Sequence, residues 1–453
     1  MTKGNKRDSS LGRQSARRRL LALALAFATL FWVCHAPAVS ALTLDQAVDR
    51  ALANNLDLRA AYYNLEIGRG KLIQAGLWPN PELEFAGNTQ RPFSNEKERN
   101  YSSGFAQAFP ISGRLAKAKR VARVDIAQAL MEIRNRERLL VGDVQKDFLT
   151  ALILRRQISA RDEVKGVNQE LLNVSEARLQ KAEVSEVDVN LAKTEVQRLQ
   201  LENDLLSAEL GARLITLRQK IGVAPEAPLT VDGDLDQLLA RFSLSGAGFD
   251  PELRPDLRQT ELGVDRARAE IVLARAEAWD DWRLGFDYED DRTLDAPNGL
   301  RADRFLGLKL AIPLPVWNRN QGRVYSQQAT ADQARQQIEA LALTIRAEVA
   351  AAAARAAKLK EATLLYSQSV LPLYTKNIGL LKQGFGQGLT EFSQIVQTQN
   401  QQVSLRITYL DAQTRYAEAL VDLETAAATN PHLKKDFLQS RSVSTRRTTV
   451  TGK

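Results

Sequence analysis

The stretch Trp282-Arg283-Leu284-Gly285-Phe286-Asp287-Tyr288-Glu289 alternates large apolar and polar side chains, which is the pattern of a β-strand with two unlike faces. The stretch that ends at Ile312 alternates in the same way, so the two predict one β-hairpin over about 282–312. Its apolar face consists of Trp282, Leu284, Phe286, Tyr288, Leu306, Leu308, Leu310 and Ile312. Its polar face consists of Arg283, Asp287, Glu289 and Lys309. Strands of about ten residues with this alternation are typical of outer-membrane proteins, although a half-buried hairpin of a water-soluble protein has the same pattern.

A second hairpin is predicted over about 81–109, so the chain has four strands of this kind. If they cross a membrane, their apolar faces contact lipid and their polar faces line a lumen. An open four-stranded sheet would leave backbone groups unpaired in lipid, at a cost of several kcal/mol for each group. The smallest bacterial barrels have about eight strands. We therefore expect the chain to share one barrel with copies of itself and to be an obligate homo-oligomer.

The two hairpins belong to a tandem duplication of most of the chain. The recurring motifs are Asp57-Leu58-Arg59 and Asp256-Leu257-Arg258, Trp78 and Trp279, Leu83-x-Phe85 and Leu284-x-Phe286, Phe109-Pro110-Ile111 and Ile312-Pro313-Leu314, and Gly113-Arg114 and Gly322-Arg323. The offset between the copies drifts only from 199 to 209 residues. An internal repeat fixes the architecture before any single motif does, and here the unit is helix, hairpin, very long helix and return helix.

The longest helical pattern begins near Gly113 and continues with few interruptions to about Lys181. At ~1.5 Å per residue this is roughly 100 Å, too long for a globular domain, and it predicts a coiled-coil or tunnel wall. The predicted fold class is therefore mostly α-helical with membrane β-strands. The predicted segments are a signal peptide at 1–41, a first repeat at 42–222, a connector at 223–253, a second repeat at 254–430 and a disordered tail at 431–453.

Residues 1–41 have the organisation of a secretory signal peptide. Arg17-Arg18-Arg19 precedes an apolar run from Leu20 to Val33, and Val39-Ser40-Ala41 offers small residues for cleavage before Leu42. An uncleaved membrane anchor is the alternative, because the apolar segment is nearly long enough to span a bilayer. Cys34 lies in this segment without the small preceding residues of a lipoprotein site, so we expect an unlipidated mature protein.

The net charge of +8 is concentrated in the same segment. Seven basic residues and one acidic residue lie within 1–41, so the remaining chain has 55 basic and 53 acidic residues and a net charge of +2. A nucleic-acid partner is therefore not expected.

The side chains that catalysis and soft-metal binding require are nearly missing. Cys34 is the only cysteine, and His432 is the only histidine beyond residue 41. The glycines Gly384, Gly386 and Gly388 are not followed by the Lys-Ser/Thr pair of a phosphate-binding loop, so they predict a tight helical turn. We expect no catalytic site, no cofactor and no metal site.

The duplicated frame carries two segments that resemble the TolC-like outer-membrane efflux proteins. The first is Leu77-Trp78-Pro79-Asn80-Pro81-Glu82-Leu83, followed by Phe109-Pro110-Ile111-Ser112-Gly113-Arg114. The second, Ile312-Pro313-Leu314-Pro315-Val316-Trp317-Asn318-Arg319-Asn320-Gln321-Gly322, is similar to the branch that works with heavy-metal cation exporters, the CzcC-like proteins. The resemblance covers essentially all of residues 42–430.

This resemblance implies a homotrimer whose twelve strands form one barrel in the outer membrane, continued by an α-helical tunnel across the periplasm. It implies a periplasmic adaptor protein and a proton-driven inner-membrane pump of the resistance-nodulation-division type as partners, with outer-membrane lipid around the barrel. The helical turns that would dock the adaptor carry Ala182, Ser185, Gly388 and Thr390. The neighbouring acids, which form a gate or are solvated helix ends, are Glu183, Glu186, Asp188 and Glu391.

The function that this resemblance implies is passive export of heavy-metal cations through the outer membrane. Export of organic compounds through the same kind of duct is one alternative. A secreted coiled-coil scaffold or adhesin-like protein is a second, and it would require water-soluble hairpins. A porin-like or enzymatic barrel is a third, disfavoured because the chain has neither a terminal aromatic strand nor a catalytic cluster.

Overall fold

A computed structural model describes residues 41–89, 98–242, 249–295, 297–386 and 392–433. The helices are α1 (Leu44–Asn54), α2 (Leu56–Gln74), α3 (Arg114–Leu179), α4 (Glu186–Lys220), α5 (Leu235–Arg241), α6 (Pro255–Ala276), α7 (Gln321–Leu365), α8 (Leu371–Gly386) and α9 (Phe392–Ala427). The strands are β1 (Ala41–Leu42), β2 (Glu82–Thr89), β3 (Arg99–Phe109), β4 (Thr230–Val231), β5 (Trp282–Asp295) and β6 (Gly299–Ala311). The predicted order of helix, hairpin and long helices is therefore present twice.

The four longer strands form one antiparallel sheet in the order β2-β3-β5-β6. The central pair, β3 and β5, joins the two copies of the duplication, with Phe105 directly opposite Phe286. The outer strands β2 and β6 each have one neighbour among the described residues. Both edges of the sheet therefore present unpaired backbone groups.

The 66-residue helix α3 follows Gly113, whose φ of 69° lies in the left-handed region that glycine adopts without steric cost. Its return helix α4 packs along it. A second left-handed glycine, Gly222, lies two residues beyond the end of α4, and an added Cβ there would lie 2.4 Å from the carbonyl oxygen of Asn54. A side chain at this position would push apart the end of α4 and the joint between α1 and α2.

The hydrophobic core lies in the middle of the long helices. Its members include Val144, Phe148, Leu149 and Ile153 of α3, Leu217 of α4, Ile221, and Leu420 and Val421 of α9. Helix α1 closes over this core and begins with a capping box, in which Thr43 and Gln46 each bond the other's backbone N–H. Helix α5, within the predicted connector, contributes Leu235 to the same core.

A buried ionic network joins the second copy to the core. Arg254, directly before α6, lies 2.7 Å from Glu348 of α7 and 2.6 Å from Asp256. Arg138 of α3 lies 3.7 Å from the same Asp256 and donates to the carbonyl of Thr425 (2.6 Å). Burial and the nearby Arg254 lower the pKa of Arg138 to about 10. Removal of one partner would leave an uncompensated buried charge.

The second long helix contains one π-helical turn, Tyr366–Val370, between α7 and α8. In this turn the N–H of Leu371 bonds the carbonyl of Tyr366, five residues earlier. Pro372 follows at once, and its ring would clash with the carbonyl four residues before it in a regular α-helix. The wider turn relieves that clash, whereas α3 in the first copy is α-helical throughout.

Several boundaries differ from the sequence-based expectation. Strand β6 ends at Ala311, so Ile312, predicted on the apolar strand face, lies one residue beyond the ladder, beside Pro313, which has no N–H to donate. The left-handed residue that precedes the long helix is Gly113 in the first copy and Asn320 in the second, two positions before Gly322.

The predicted signal peptide lies outside the described residues except for Ala41, which pairs with Thr230. The predicted tail is described only at residues 431–433, where His432 lies 3.1 Å from Asp49. Among the described helices, none is both long and apolar enough to cross a bilayer.

Candidate functional site

The apolar face of the sheet is built from directly opposed residues of β5 and β6. Leu284 pairs with Leu310, Phe286 with Leu308 and Tyr288 with Leu306. Residues opposite each other in an antiparallel pair project on the same side, so the register brings six of the predicted residues onto one face. Leu306 is 84% exposed and Leu308 66% exposed, while Trp282 and Leu284 are half-buried. The face is thus a broad apolar surface without a cover in the described chain.

This apolar face continues across the first copy. Leu83 lies opposite Phe105, which lies opposite Phe286, so these side chains form a row across β2, β3 and β5. Closer to the β2–β3 turn, Tyr101 lies opposite Gly87, where an added Cβ would approach its ring to 2.9 Å. Sequence alternation had marked the second hairpin more clearly than the first, because Ser103 and Gln107 interrupt the apolar row in β3.

The polar face is centred on Asp287. Its carboxylate is 17% exposed and lies 3.5 Å from the ammonium of Lys309, while its Oδ1 accepts no hydrogen bond from the described residues. Gly307 lies directly opposite, where an added Cβ would be 2.6 Å from Oδ1. The glycine therefore makes the space in which this carboxylate lies flat against the sheet.

Charged side chains extend over the rest of the polar face. Arg283 pairs with Glu82 of β2 at 3.1 Å, and Asn100 donates to Glu289. Among the acids whose side chains are described, the register places six on this face, namely Glu82, Glu84, Asp287, Glu289, Asp291 and Asp303. It places three basic residues there, namely Arg283, Arg301 and Lys309. A cavity of ≈ 190 Å³ opens on this face. The excess of carboxylates gives it a negative field.

The turn between α3 and α4 carries the first predicted tip. The N–H of Glu183 bonds the carbonyl of Arg178 (3.0 Å), and the N–H of Ala182 bonds that of Leu179 (2.9 Å). This pair of bonds is the Schellman motif that ends many helices, and its left-handed position is normally glycine. Here that position is Ala182, with a φ of 54°.

The other predicted tip residues are placed as follows. Ser185 directly precedes α4, and Ser185, Glu183 and Glu186 are exposed. Acids at a helix N-terminus are favoured by the helix dipole, so these positions have a structural reason independent of a gate. Asp188 lies in α4, but its side chain is outside the described part. Gly388, Thr390 and Glu391 also lie outside it.

Two features of these surfaces were missed from the sequence. Phe305, opposite Glu289, lies on the polar face, because strict alternation continues through it. No local sequence pattern indicates that Ala182 adopts the left-handed conformation, because the glycine usual at this position of a helix end is absent. Within the described residues, no group of three or more His, Cys, Asp or Glu side chains could hold a metal ion. The arrangement provides a two-faced sheet and helical tips rather than a reaction centre.

The chain matches the protein family described as outer membrane efflux protein over residues 47–223 and 252–429, once for each copy. The cobalt-zinc-cadmium resistance protein CzcC of Cupriavidus metallidurans is 24% identical over 393 residues, which are 85% of this chain and 90% of that protein. The pyoverdine export outer membrane protein OpmQ of Pseudomonas putida is 24% identical over 64% of this chain and 65% of its own length. The crystal structure of CusC superimposes with a TM-score of 0.70 at 19% identity, over 85% of this chain and 91% of that one.

Proposed function

Because this chain belongs to the outer membrane efflux protein family, a family of passive channels and not of enzymes, we propose that it is the outer-membrane duct of a three-part exporter. In this proposal a pump in the inner membrane delivers the substrate, and a periplasmic adaptor connects the pump to the duct. The observation that carries the proposal is the sheet with one apolar and one acidic face. Such a sheet is suited to separate lipid from an aqueous lumen.

Three chains together can close the barrel that a single chain leaves open. The edge strands β2 and β6 run antiparallel to each other, so β6 of one chain can pair with β2 of the neighbouring chain. Three sheets of four strands then give a closed barrel of twelve, in which every backbone group in lipid is paired. The apolar face lies against lipid and the polar face lines the lumen. The helices continue the lumen into the periplasm.

The proposed substrate is a heavy-metal cation. The similarity to a cobalt-zinc-cadmium resistance protein over most of both chains supports this class. The acidic excess on the polar face favours cations through its summed field, without binding any one of them tightly. Selection among metals then belongs to the pump and the adaptor, because soft-metal capture uses thiolate, imidazole or thioether ligands.

The helical turns are the proposed contact with the adaptor, through Ser185 beside Ala182 and through Thr390 beside Gly388. A resistance-nodulation-division pump is the proposed inner-membrane partner. Residues 1–41 are proposed to direct export as a cleaved signal peptide. The adaptor contact and the pump follow the resemblance of the two duplicated segments to efflux proteins, whereas the signal peptide follows from the basic, apolar and small residues of the segment itself.

Export of organic compounds is the second candidate, supported by the similarity to a pyoverdine export protein. A deletion strain complemented with this chain separates the two. We expect complementation to restore growth on cobalt, zinc or cadmium and to leave sensitivity to organic solvents and siderophores unchanged. Restored tolerance to organic compounds alone would reject the metal substrate. Recovery of the chain in a soluble fraction without detergent would reject the duct itself.

A further inference from the structure

The end of the sheet that faces the helices has a group of exposed apolar side chains. All four connections between strands and helices meet at this end, because β2 and β5 begin here and β3 and β6 end here. Its exposed members, which we call the collar, are Leu77, Trp78, Ile111, Trp279, Ile312, Leu314, Val316 and Trp317. The collar is continuous with the apolar face, since Phe109 at the end of β3 packs edge-to-face on Trp78 at 5.9 Å.

The opposite end of the sheet differs in chemistry. Its exposed large apolar side chains in the described residues are Tyr101, Leu294 and Leu300. Around them lie charged residues, namely Glu98, Arg99, Asp291, Arg292, Arg301 and Asp303. Tryptophan and tyrosine are both typical of membrane–water interfaces, and the tryptophans lie at the helix end alone among the described ends of the sheet, whereas the opposite end has Tyr101.

The two copies contribute unequally to the collar. The connection from β3 to α3 has four residues, 110–113, whereas that from β6 to α7 has nine, 312–320. The longer connection carries Leu314, Val316 and Trp317 together. Trp317 is 86% exposed, more than any other large apolar side chain in the described chain.

This longer connection is held in place by hydrogen bonds. Asn320 donates from Nδ2 to the carbonyl of Ala274 at the end of α6 (2.9 Å), and Gln321 donates to the carbonyl of Trp317 (3.0 Å). Arg319 Nε donates to the carbonyl of Pro315 (3.3 Å). A fixed loop that keeps three large apolar groups in water forgoes about 1.5–3 kcal/mol for each, so it implies a surface that covers them.

A cation lies in the same loop. The Nη groups of Arg319 have no acceptor among the described residues, so its charge is available at the surface, two residues from Trp317. Guanidinium groups bind phosphate through paired hydrogen bonds. An aromatic ring with an adjacent free guanidinium matches the boundary where phospholipid headgroups meet acyl chains.

We propose that residues 312–320 are a lipid anchor, which inserts Trp317, Leu314 and Val316 among the phospholipids of the leaflet that faces the periplasm. Arg319 contacts lipid phosphate. The inference rests on the proposed function, because a sheet that spans the membrane puts this end at the periplasmic surface. It adds an anchor that only the second copy supplies, three for each trimer.

The test uses the full chain in phospholipid vesicles with Trp317 as the only tryptophan, after changing Trp32, Trp78, Trp279 and Trp282 to Phe. Lipids brominated near the headgroup should remove most of the Trp317 emission. Lipids brominated at the bilayer centre and aqueous iodide should remove little. Quenching by iodide alone would overturn the anchor. Protection from every quencher would also overturn it, since it would place Trp317 against a neighbouring copy.

A control separates this inference from the proposed function. With Trp317→Phe and Leu308→Trp in the same background, lipids brominated at the bilayer centre should quench most strongly if the sheet spans the membrane. Absence of that quenching would reject the membrane sheet, whereas its presence with an iodide-quenched Trp317 would reject only the anchor.

A second measurement tests the phosphate contact. In vesicles of mixed phosphatidylglycerol and phosphatidylcholine, we expect brominated phosphatidylglycerol to quench Trp317 more than brominated phosphatidylcholine does. Arg319→Gln should remove this preference, and Arg301→Gln at the far end of the sheet should retain it. Equal quenching by both lipids in the unsubstituted loop would overturn the role of Arg319.

Discussion

Asn55 donates a hydrogen bond from Nδ2 to the main-chain carbonyl of Lys220 (3.0 Å) and so ties the start of α2 to the last turn of α4. At the equivalent place in the second copy, Arg254 donates from Nη1 to the carbonyl of Ala426 (3.2 Å) at the end of α9. The last carbonyls of a helix have no partner inside it. In both copies, a side chain directly before a helix therefore bonds a carbonyl at the end of another helix. The donor is an amide in the first copy and a guanidinium in the second.

We expect Asn55→Ala to lower the free energy of unfolding by about 1–2 kcal/mol, because Asn55 also caps α2 by accepting from the N–H of Leu58 (2.8 Å). Denaturant unfolding followed by circular dichroism measures the change. Asn54→Ala removes the same amide from the exposed neighbouring position and should change stability by less than about 0.5 kcal/mol. Equal effects of the two substitutions would contradict the role of Asn55 in linking α2 to α4.

Ala182→Gly should stabilise the tip by about 1 kcal/mol, because glycine adopts the left-handed conformation without the Cβ clash that alanine suffers. Hydrogen exchange at the amides of Ala182 and Glu183 should become slower. Ala212→Gly, at an exposed position inside α4, should instead destabilise by about 1 kcal/mol. The prediction fails if both glycines act in the same direction.

Leu308→Arg and Lys309→Arg put the same side chain on opposite faces of β6. On a lipid-facing surface, arginine costs about 2–4 kcal/mol near the bilayer centre, so Leu308→Arg should impair assembly in the membrane. Lys309→Arg retains the partner of Asp287 and should assemble normally. Quantitative recovery of trimer from outer membranes compares them. Equal tolerance would refute the assignment of the two faces.

Glu424 should make stability depend on pH. Burial raises the pKa of Glu424, against a hydrogen bond from the Gln145 amide (3.2 Å) that lowers it. Because this pKa is higher in the folded than in the unfolded chain, the stability that protonated Glu424 contributes is fully present below its unfolded pKa. That stability is lost as the pH rises through the folded pKa. Glu424→Gln, which stays neutral, should thus gain stability relative to the parent chain as the pH rises above the unfolded pKa of about 4.3.

Thermal unfolding at a series of pH values measures this difference. Glu209→Gln, an exposed position of α4, removes the same charge from water and should show no such trend. A difference between Glu424→Gln and the parent that is constant with pH would count against the buried carboxylate.

Export should depend on the tips and not on His432, the one histidine beyond residue 41. Ser185→Arg and Thr390→Arg should abolish resistance without preventing trimer formation, which cross-linking checks. His432→Ala removes a 3.1 Å contact with Asp49 near the end of α9 and should leave resistance unchanged. Loss of export in His432→Ala, together with normal export in the tip variants, would contradict the proposal that the chain is a passive duct.

The duplicated frame and the two hairpins could be predicted because their signals are periodic. The alternation over Trp282–Glu289 determines which side chains share a face of the sheet, whatever the position of the strand end. The observed ladder pairs Phe286 with Leu308 on that face. The strand end at Ala311 could not be placed from alternation, since it depends on where Pro313 interrupts the bonding. The family could be identified from the two duplicated segments.

Contacts between distant residues could not be predicted in this way. Nothing near Arg138 in the sequence indicates that it meets Asp256, because that contact depends on how the two copies pack. The same applies to the bond of Asn320 to Ala274, which fixes the connection carrying Trp317. The face assignments, the tips and the collar remain predictions that the variants above can decide.

The π-helical turn at Tyr366–Val370 has a consequence for symmetry. One residue added to a helix rotates everything beyond it by about 100°, since a full turn takes 3.6 residues. We therefore expect helix α8 to present a different stripe of residues to α9 from the one that the corresponding part of α3 presents to α4. Six helical hairpins around an axis would alternate between two rotational settings. We expect the far mouth of such a ring to have a triangular rather than a hexagonal outline.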